Sequence, residues 1–346
     1  MKIENDKVTF EYGDMSFVEK FGIMEATKMV LDYKSFNATP FIYDTHQLAD
    51  TLGVSSKELF ALIKHKKEHY RKVTLTKKNG KIRKINAPDF DLSCVQYWVL
   101  HDILNHIPIS EFATAYHKGS TLYDNAKPHT NKKYMLKLDI TDFFGSITFE
   151  DVLSSAFNLS RYPKQIGYLL TEICTLDGVV PQGAPTSPAI SNIVMKRFDD
   201  RIGEWCKKRE ISYTRYCDDM TFSADKPLYN VYKKVEQMLN DMGFWLNEKK
   251  TKFVSSSSRQ TVTGLVVNEK VSVPREYKRE LRQKIHYIEK YGFDLKVCRS
   301  LDGEKLHNMY FILMGKIGYV LQIEPENEFF KTAIEKLPQI AKNCGL

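Results

Sequence analysis

The stretch "RYCDDMTF", residues 215–222, places two adjacent carboxylates, Asp218 and Asp219, between two runs that both read as β-strand. Residues 211–217, ISYTRYC, are rich in β-branched and aromatic side chains, and residues 220–223, MTFS, alternate in polarity. Two such runs joined by a two-residue connection predict a hairpin with Asp218 and Asp219 at its tip, since aspartate tolerates turn dihedrals. A solvated turn accounts for one aspartate, but two neighbouring anions repel each other. A divalent cation would relieve that repulsion, so the pair points to a metal site.

Upstream, residues 134–144 read YMLKLDITDFF. Leu136, Leu138 and Ile140 fall on one face, and Lys137 and Asp139 on the other, which predicts a half-buried strand that presents one carboxylate away from its apolar side. If this strand lies beside the hairpin, Asp139, Asp218 and Asp219 converge. Three carboxylates form a site for hard cations with oxygen ligands, Mg²⁺ above all. Because Mg²⁺ binds through few carboxylates together with substrate phosphates, phosphoryl transfer assisted by two ions follows.

The chain has 346 residues, enough for a substantial core divided into lobes. Its net charge of +8 is unevenly spread. Between Lys64 and Lys84 lie Lys66, Lys67, Arg71, Lys72, Lys77, Lys78, Lys81 and Arg83, opposed only by Glu68, a cluster that suits a polyanion such as nucleic acid. Cysteines 94, 174, 206, 217, 298 and 344 show neither metal-ligand spacing nor a disulfide framework, which fits reduced thiols in a cytoplasmic protein. No apolar run is long enough for a membrane span, and the N-terminus lacks a signal-peptide pattern.

Residues 15–70 read as helical, with THQLADTLGVSSKELFALIKH forming a helix pair broken at Gly53 and Ser55-Ser56. Residues 72–88 predict a hairpin around Asn79-Gly80, and SCVQYWVLHDILNHI a buried helix. Residues 150–177 return to helix, another helix opens at Ser187-Pro188, and Gly243 stops one over 228–243. TVTGLVVN reads as a short strand pair. From Pro274 a helix carries Tyr277, Leu281, Ile285 and Ile288 on one stripe, with Arg275, Lys278, Arg279, Arg282 and His286 beside it.

The order of these segments, KLDITDFF, PQGAPTSP, YCDD, GFWLNEKKTK and VTG, resembles the reverse transcriptases over residues 55–275. The resemblance implies an α+β right-hand polymerase with an antiparallel palm sheet. It divides the chain into an N-terminal helical extension (1–59), fingers (60–90 and 150–186), palm (91–149 and 187–272) and thumb (273–346). It implies Asp139, Asp218 and Asp219 as catalytic ligands of two Mg²⁺ ions, and Phe144 as a steric gate against the ribose 2′-hydroxyl. Gln182 and Gly183 would contact the nucleotide, with glycine allowing close backbone approach. Lys81 and Arg83, among the hairpin cations Lys77, Lys78 and Lys84, would reach the triphosphate, and Lys249 or Lys250 would protonate the leaving pyrophosphate.

Two further boxes, NAKPH with Asn125 and His129, and VTG with Val262, Thr263 and Gly264, resemble those of the retron reverse transcriptases. That branch implies RNA contacts from both boxes and from Arg275, Arg279 and Arg282. It implies a cognate structured noncoding RNA copied into multicopy single-stranded DNA from an RNA 2′-hydroxyl, a host ribonuclease H, an effector toxin, and a role in antiphage defence. About 80 residues after Gly264 leave space for one small lobe and not for a maturase or nuclease domain. The alternatives are an intron-like or abortive-infection reverse transcriptase, or a non-catalytic RNA-binding scaffold. Retention of all three carboxylates with Phe144 and Gln182 argues against the scaffold.

Overall fold

The computed structural model describes residues 2–4, 7–9, 22, 24–26, 28–30, 39–76, 80, 82–158, 160–293 and 306–344. At its centre is a four-stranded antiparallel sheet in the order β6-β7-β5-β8, formed by β5 (Tyr134–Asp139), β6 (Ser212–Tyr216), β7 (Asp219–Ala224) and β8 (Lys252–Ser255). The period-two pattern decides its faces. Leu136, Leu138, Tyr213, Met220, Phe222 and Ala224 point into a core shared with the helices Ser187–Lys207 and Tyr229–Asn240, through Ile190, Val194, Phe198, Val235 and Leu239. Asp139, Thr214, Asp219, Thr221 and Ser223 occupy the alternate positions and face the other way. Met135 shares that second face yet is buried in a separate core with the C-terminal helices, so β5 is covered on both sides at its start.

The basic hairpin pairs β3 (Tyr70–Thr76) with β4 (Ile82–Pro88); Gly80 has φ +77°, and Asn79 lies outside the described residues. Before it, Thr45–Leu52 and Ser56–Lys64 form the expected helix pair. Gly53 closes the first in a left-handed conformation, and Ser55 and Glu58 make a reciprocal capping box on the second. The N-terminal part is not wholly helical, because Lys2–Glu4 and Lys7–Thr9 pair as antiparallel strands. Residues 150–177 divide into Phe149–Ser155 and Lys164–Cys174, with Pro163 at the start of the second helix, where its missing N–H costs nothing.

The short strands β9 (Thr261–Val262) and β10 (Leu265–Val266) lead into the helix Arg275–Tyr291, followed by Leu306–Ile323 and Glu328–Asn343. Leu281, Ile285 and Ile288 form the buried stripe expected of the first of these, packed with Val320, Phe330 and Leu337. Ala126 joins the same cluster, so this C-terminal lobe shares its core with the segment preceding β5. No helix among the described residues is long and apolar enough to cross a membrane.

Candidate active site

Pairing of Tyr216 with Asp219 makes Cys217 and Asp218 the two-residue connection of the central hairpin. This corrects the expectation that both aspartates sit at the tip: Asp219 opens β7 and stands directly across from Asp139 on β5. Cys217 has φ +61° and Asp218 does not enter the left-handed region, an arrangement whose first central position ordinarily takes glycine. The unfavourable conformation is held from beneath. Arg215 Nη1 donates to the Cys217 carbonyl at 3.0 Å, and its guanidinium is paired with Asp199 through Nε–Oδ1 at 2.9 Å and Nη2–Oδ2 at 2.6 Å. Both partners are fully buried, and Tyr213 and Asn192 complete their hydrogen bonds. Ile140 N also donates to Asp218 O at 3.1 Å, which ties the turn to the end of β5.

The result is that Asp139, Asp218 and Asp219 each offer an oxygen within 4.8 Å of the others. Asp139 is buried, Asp218 half-buried and Asp219 at the solvent edge. Burial first, and then the charges of Asp218 and Asp139, push the Asp219 carboxyl up to about 6. Two ammoniums answer this negative charge: Lys137 acts on Asp219, and Lys250 Nζ lies 2.5 Å from Asp139 Oδ2. Burial opposes the charge on Lys250, but its hydrogen bond to Asp139 and the charges of Asp139, Asp218 and Asp219 together outweigh that and raise its proton affinity. A cluster of three carboxylates that two lysines do not fully neutralise fits a divalent cation.

Phe144 stands half-buried, 5.5 Å from the Phe143 ring, and Phe143 is the one that fills the core. Asn86 N donates to Gln182 O at 2.9 Å. Gly183 has φ +123°, and a Cβ there would come within 2.4 Å of Ile85 Cγ2 and 2.8 Å of Asn86 O. The close approach that demands glycine is therefore to β4, where the sequence suggested the nucleotide. Arg83 is exposed on β4, and Lys81 lies outside the described residues. Lys249 and Lys250 are both exposed, and Lys250 is the one that contacts Asp139.

Asn125, His129 and Val262 are buried, so the expectation that they touch RNA directly is also corrected. Asn125 and His129 hydrogen-bond within the protein, and Val262 fills the C-terminal core. Thr263 is half-buried, Gly264 exposed, and Arg275, Arg279 and Arg282 are exposed on one helix. Arg282 lies 5.5 Å and 5.4 Å from the Phe329 and Phe330 ring centres. Asp199 and Arg215 went unnoticed in the sequence, where nothing marks them as partners.

Residues 75–284 match the family described as "Reverse transcriptase (RNA-dependent DNA polymerase)". The chain is 34% identical over 254 residues to the retron Ec86 reverse transcriptase of Escherichia coli, covering 72% of this chain and 79% of that one. To the retron Ec83 reverse transcriptase of Escherichia coli it is 33% identical over 278 residues, with coverage of 74% and 84%. To the retron Mx65 reverse transcriptase of Myxococcus xanthus it is 31% identical over 277 residues, covering 75% of this chain and 62% of that longer relative. With its antiparallel sheet, converging carboxylates and these relatives, the chain belongs to the reverse transcriptases, in their retron branch, and is an RNA-directed DNA polymerase.

Proposed function

We propose that this polymerase copies its own structured noncoding RNA into multicopy single-stranded DNA, starting from the 2′-hydroxyl of an internal guanosine. The observation that supports its chemistry is the meeting of Asp139, Asp218 and Asp219 within 4.8 Å. The retron relatives supply the substrate reading. Residues 60–90 and 150–186 act as fingers, 91–149 and 187–272 as palm, and 273–346 as thumb.

The primer hydroxyl attacks the α-phosphate of a deoxynucleoside triphosphate, a new phosphodiester forms, and pyrophosphate leaves. Magnesium ions held by the three aspartates would supply charge neutralisation for the attacking and departing oxygens. Lys250, ion-paired with Asp139, carries a proton that would serve the leaving group. Phe144 screens the sugar against a 2′-hydroxyl. Arg83 and Lys81 neutralise the triphosphate. The exposed Arg275, Arg279 and Arg282 hold the RNA through its phosphates.

The product RNA–DNA hybrid is trimmed by a host ribonuclease H. Together with the polymerase, it restrains an effector toxin in defence against phage, and the setting is cytoplasmic. Sequencing the nucleic acid that copurifies with the protein tests this reading. A 2′,5′ branch joining RNA to DNA is the expected result, and DNA carrying only 3′,5′ linkages would refute it in favour of an intron-like or abortive-infection enzyme.

A further inference from the structure

The second face of the central sheet carries more than the carboxylates. Asp219, Thr221 and Ser223 alternate along it on β7, so Ser223 lies about 13 Å from Asp219 at the usual strand rise. At that far end a chain of buried hydrogen bonds begins. Ser223 Oγ meets His129 Nδ1 at 2.7 Å, and His129 Nε2 meets Thr214 Oγ1 at 2.9 Å. Thr214 Oγ1 donates to Asn125 Oδ1 at 2.7 Å, and Asn125 Nδ2 donates to Thr263 Oγ1 at 3.3 Å. Thr114 Oγ1 also donates to Asn125 Oδ1, at 2.8 Å.

The direction of the chain follows from the donors. With the Asn125 amide oxygen assigned to the threonine side, Thr214 spends its single proton on it. His129 must then donate from Nε2 to Thr214 and accept from Ser223 at Nδ1. Both strands of the catalytic hairpin, β6 through Thr214 and β7 through Ser223, are thus joined by His129 and connected by Asn125 to the β9–β10 turn.

That turn is itself unusual. Thr263 and Gly264 are its two central residues, with φ of +44° and +85°, positions that favour Asn-Gly. A β-branched residue at positive φ is an outlier that persists only where its surroundings hold it. Its hydroxyl accepts the Asn125 amide, and its neighbours Val262 and Leu265 belong to the same apolar core as the C-terminal helices.

We propose that the two retron-type boxes form one lock, Ser223–His129–Thr214–Asn125–Thr263, buried except at its half-buried Thr263 end, that fixes to the catalytic hairpin the β9–β10 turn whose neighbours Val262 and Leu265 share the core of the thumb helices. Asn125, His129 and Thr263 are positioning residues: they touch no substrate and set the angle at which nucleic acid gripped by the thumb meets the carboxylates. The inference rests on reading residues 273–346 as the thumb.

The test compares Thr263→Ala with Thr263→Ser. Both remove a methyl from a strained position, and only serine keeps the hydroxyl. Thr263→Ser should therefore melt at or above the wild-type temperature, and Thr263→Ala within a few degrees of it, because the lost hydrogen bond is partly offset by the relieved strain. On an annealed DNA primer and RNA template, Thr263→Ala should raise the KM for the duplex roughly fivefold, the equilibrium equivalent of one net hydrogen bond, and shorten products made in a single encounter. Its kcat for adding one nucleotide at saturating duplex should stay unchanged, and Thr263→Ser should match wild type in all three readouts. Equal KM and equal product length for the two variants would overturn the lock. Failure of the thumb reading shows separately, as RNA binding unaffected by charge reversal at Arg279 and Arg282.

Discussion

At the scale of the residue, the site depends on side chains whose neighbours force them into place. Cys217 occupies a glycine-like conformation because Arg215 pins its carbonyl and Asp199 pins Arg215. Asp199→Ala should leave a buried guanidinium without its partner, at a cost of about 3–5 kcal/mol in denaturant unfolding. A loss below about 1 kcal/mol would mean that the pair does not hold the turn. Phe144, half-buried beside Phe143, has room to lose its ring without emptying the core. Phe144→Ala should therefore admit ribonucleotides while the protein stays folded. Unchanged sugar discrimination in competition assays would remove Phe144 as the gate.

At the scale of the element, spacing in the sequence revealed what depends on neighbours two to four residues away. The alternation around Asp139, the Gly53 and Ser55 signals and the stripe from Leu281 to Ile288 all correspond to observed elements. What escaped was set by contacts between distant segments. Period-two reading could not tell that Met135 would be covered by a second core, nor which of two adjacent lysines would reach Asp139. Gly183 was legible as a close approach, but the partner, Asn86, lies on another element. The retron resemblance implies RNA at Asn125 and His129, whereas their hydrogen-bond partners are protein hydroxyls.

The buried imidazole has a consequence for acid stability. Burial, reinforced by the charge of Lys132, lowers the His129 pKa to about 3, below the unfolded value of 6.5. The unfolded chain therefore binds the proton more readily. The contribution of His129 to stability is present above pH 6.5 and is lost as pH falls below it, by about 1.4 kcal/mol per unit. Between pH 7 and pH 5 this group should cost about 2 kcal/mol of unfolding free energy, and His129→Gln should flatten that part of the profile. An identical acid slope in wild type and variant would contradict the buried neutral imidazole.

At the scale of the molecule, the sheet gathers the chemistry at one end and ties the C-terminal lobe at the other. The exposed arginines of the helix Arg275–Tyr291 lie on that lobe, away from the carboxylates in sequence and joined to them through the shared sheet. Reversing Arg279 and Arg282 to glutamate should weaken RNA binding and reduce its salt slope by roughly one to two phosphate contacts. An unaltered slope would place the RNA elsewhere.

The most direct measurement is DNA synthesis on a primed RNA template by Asp219→Asn, titrated with Mg²⁺ beside the wild type and paired with RNA binding by the same variant. A metal site shared by the three aspartates requires that synthesis be lost at every metal concentration with RNA affinity kept within a few-fold. Near-normal synthesis by Asp219→Asn would contradict it.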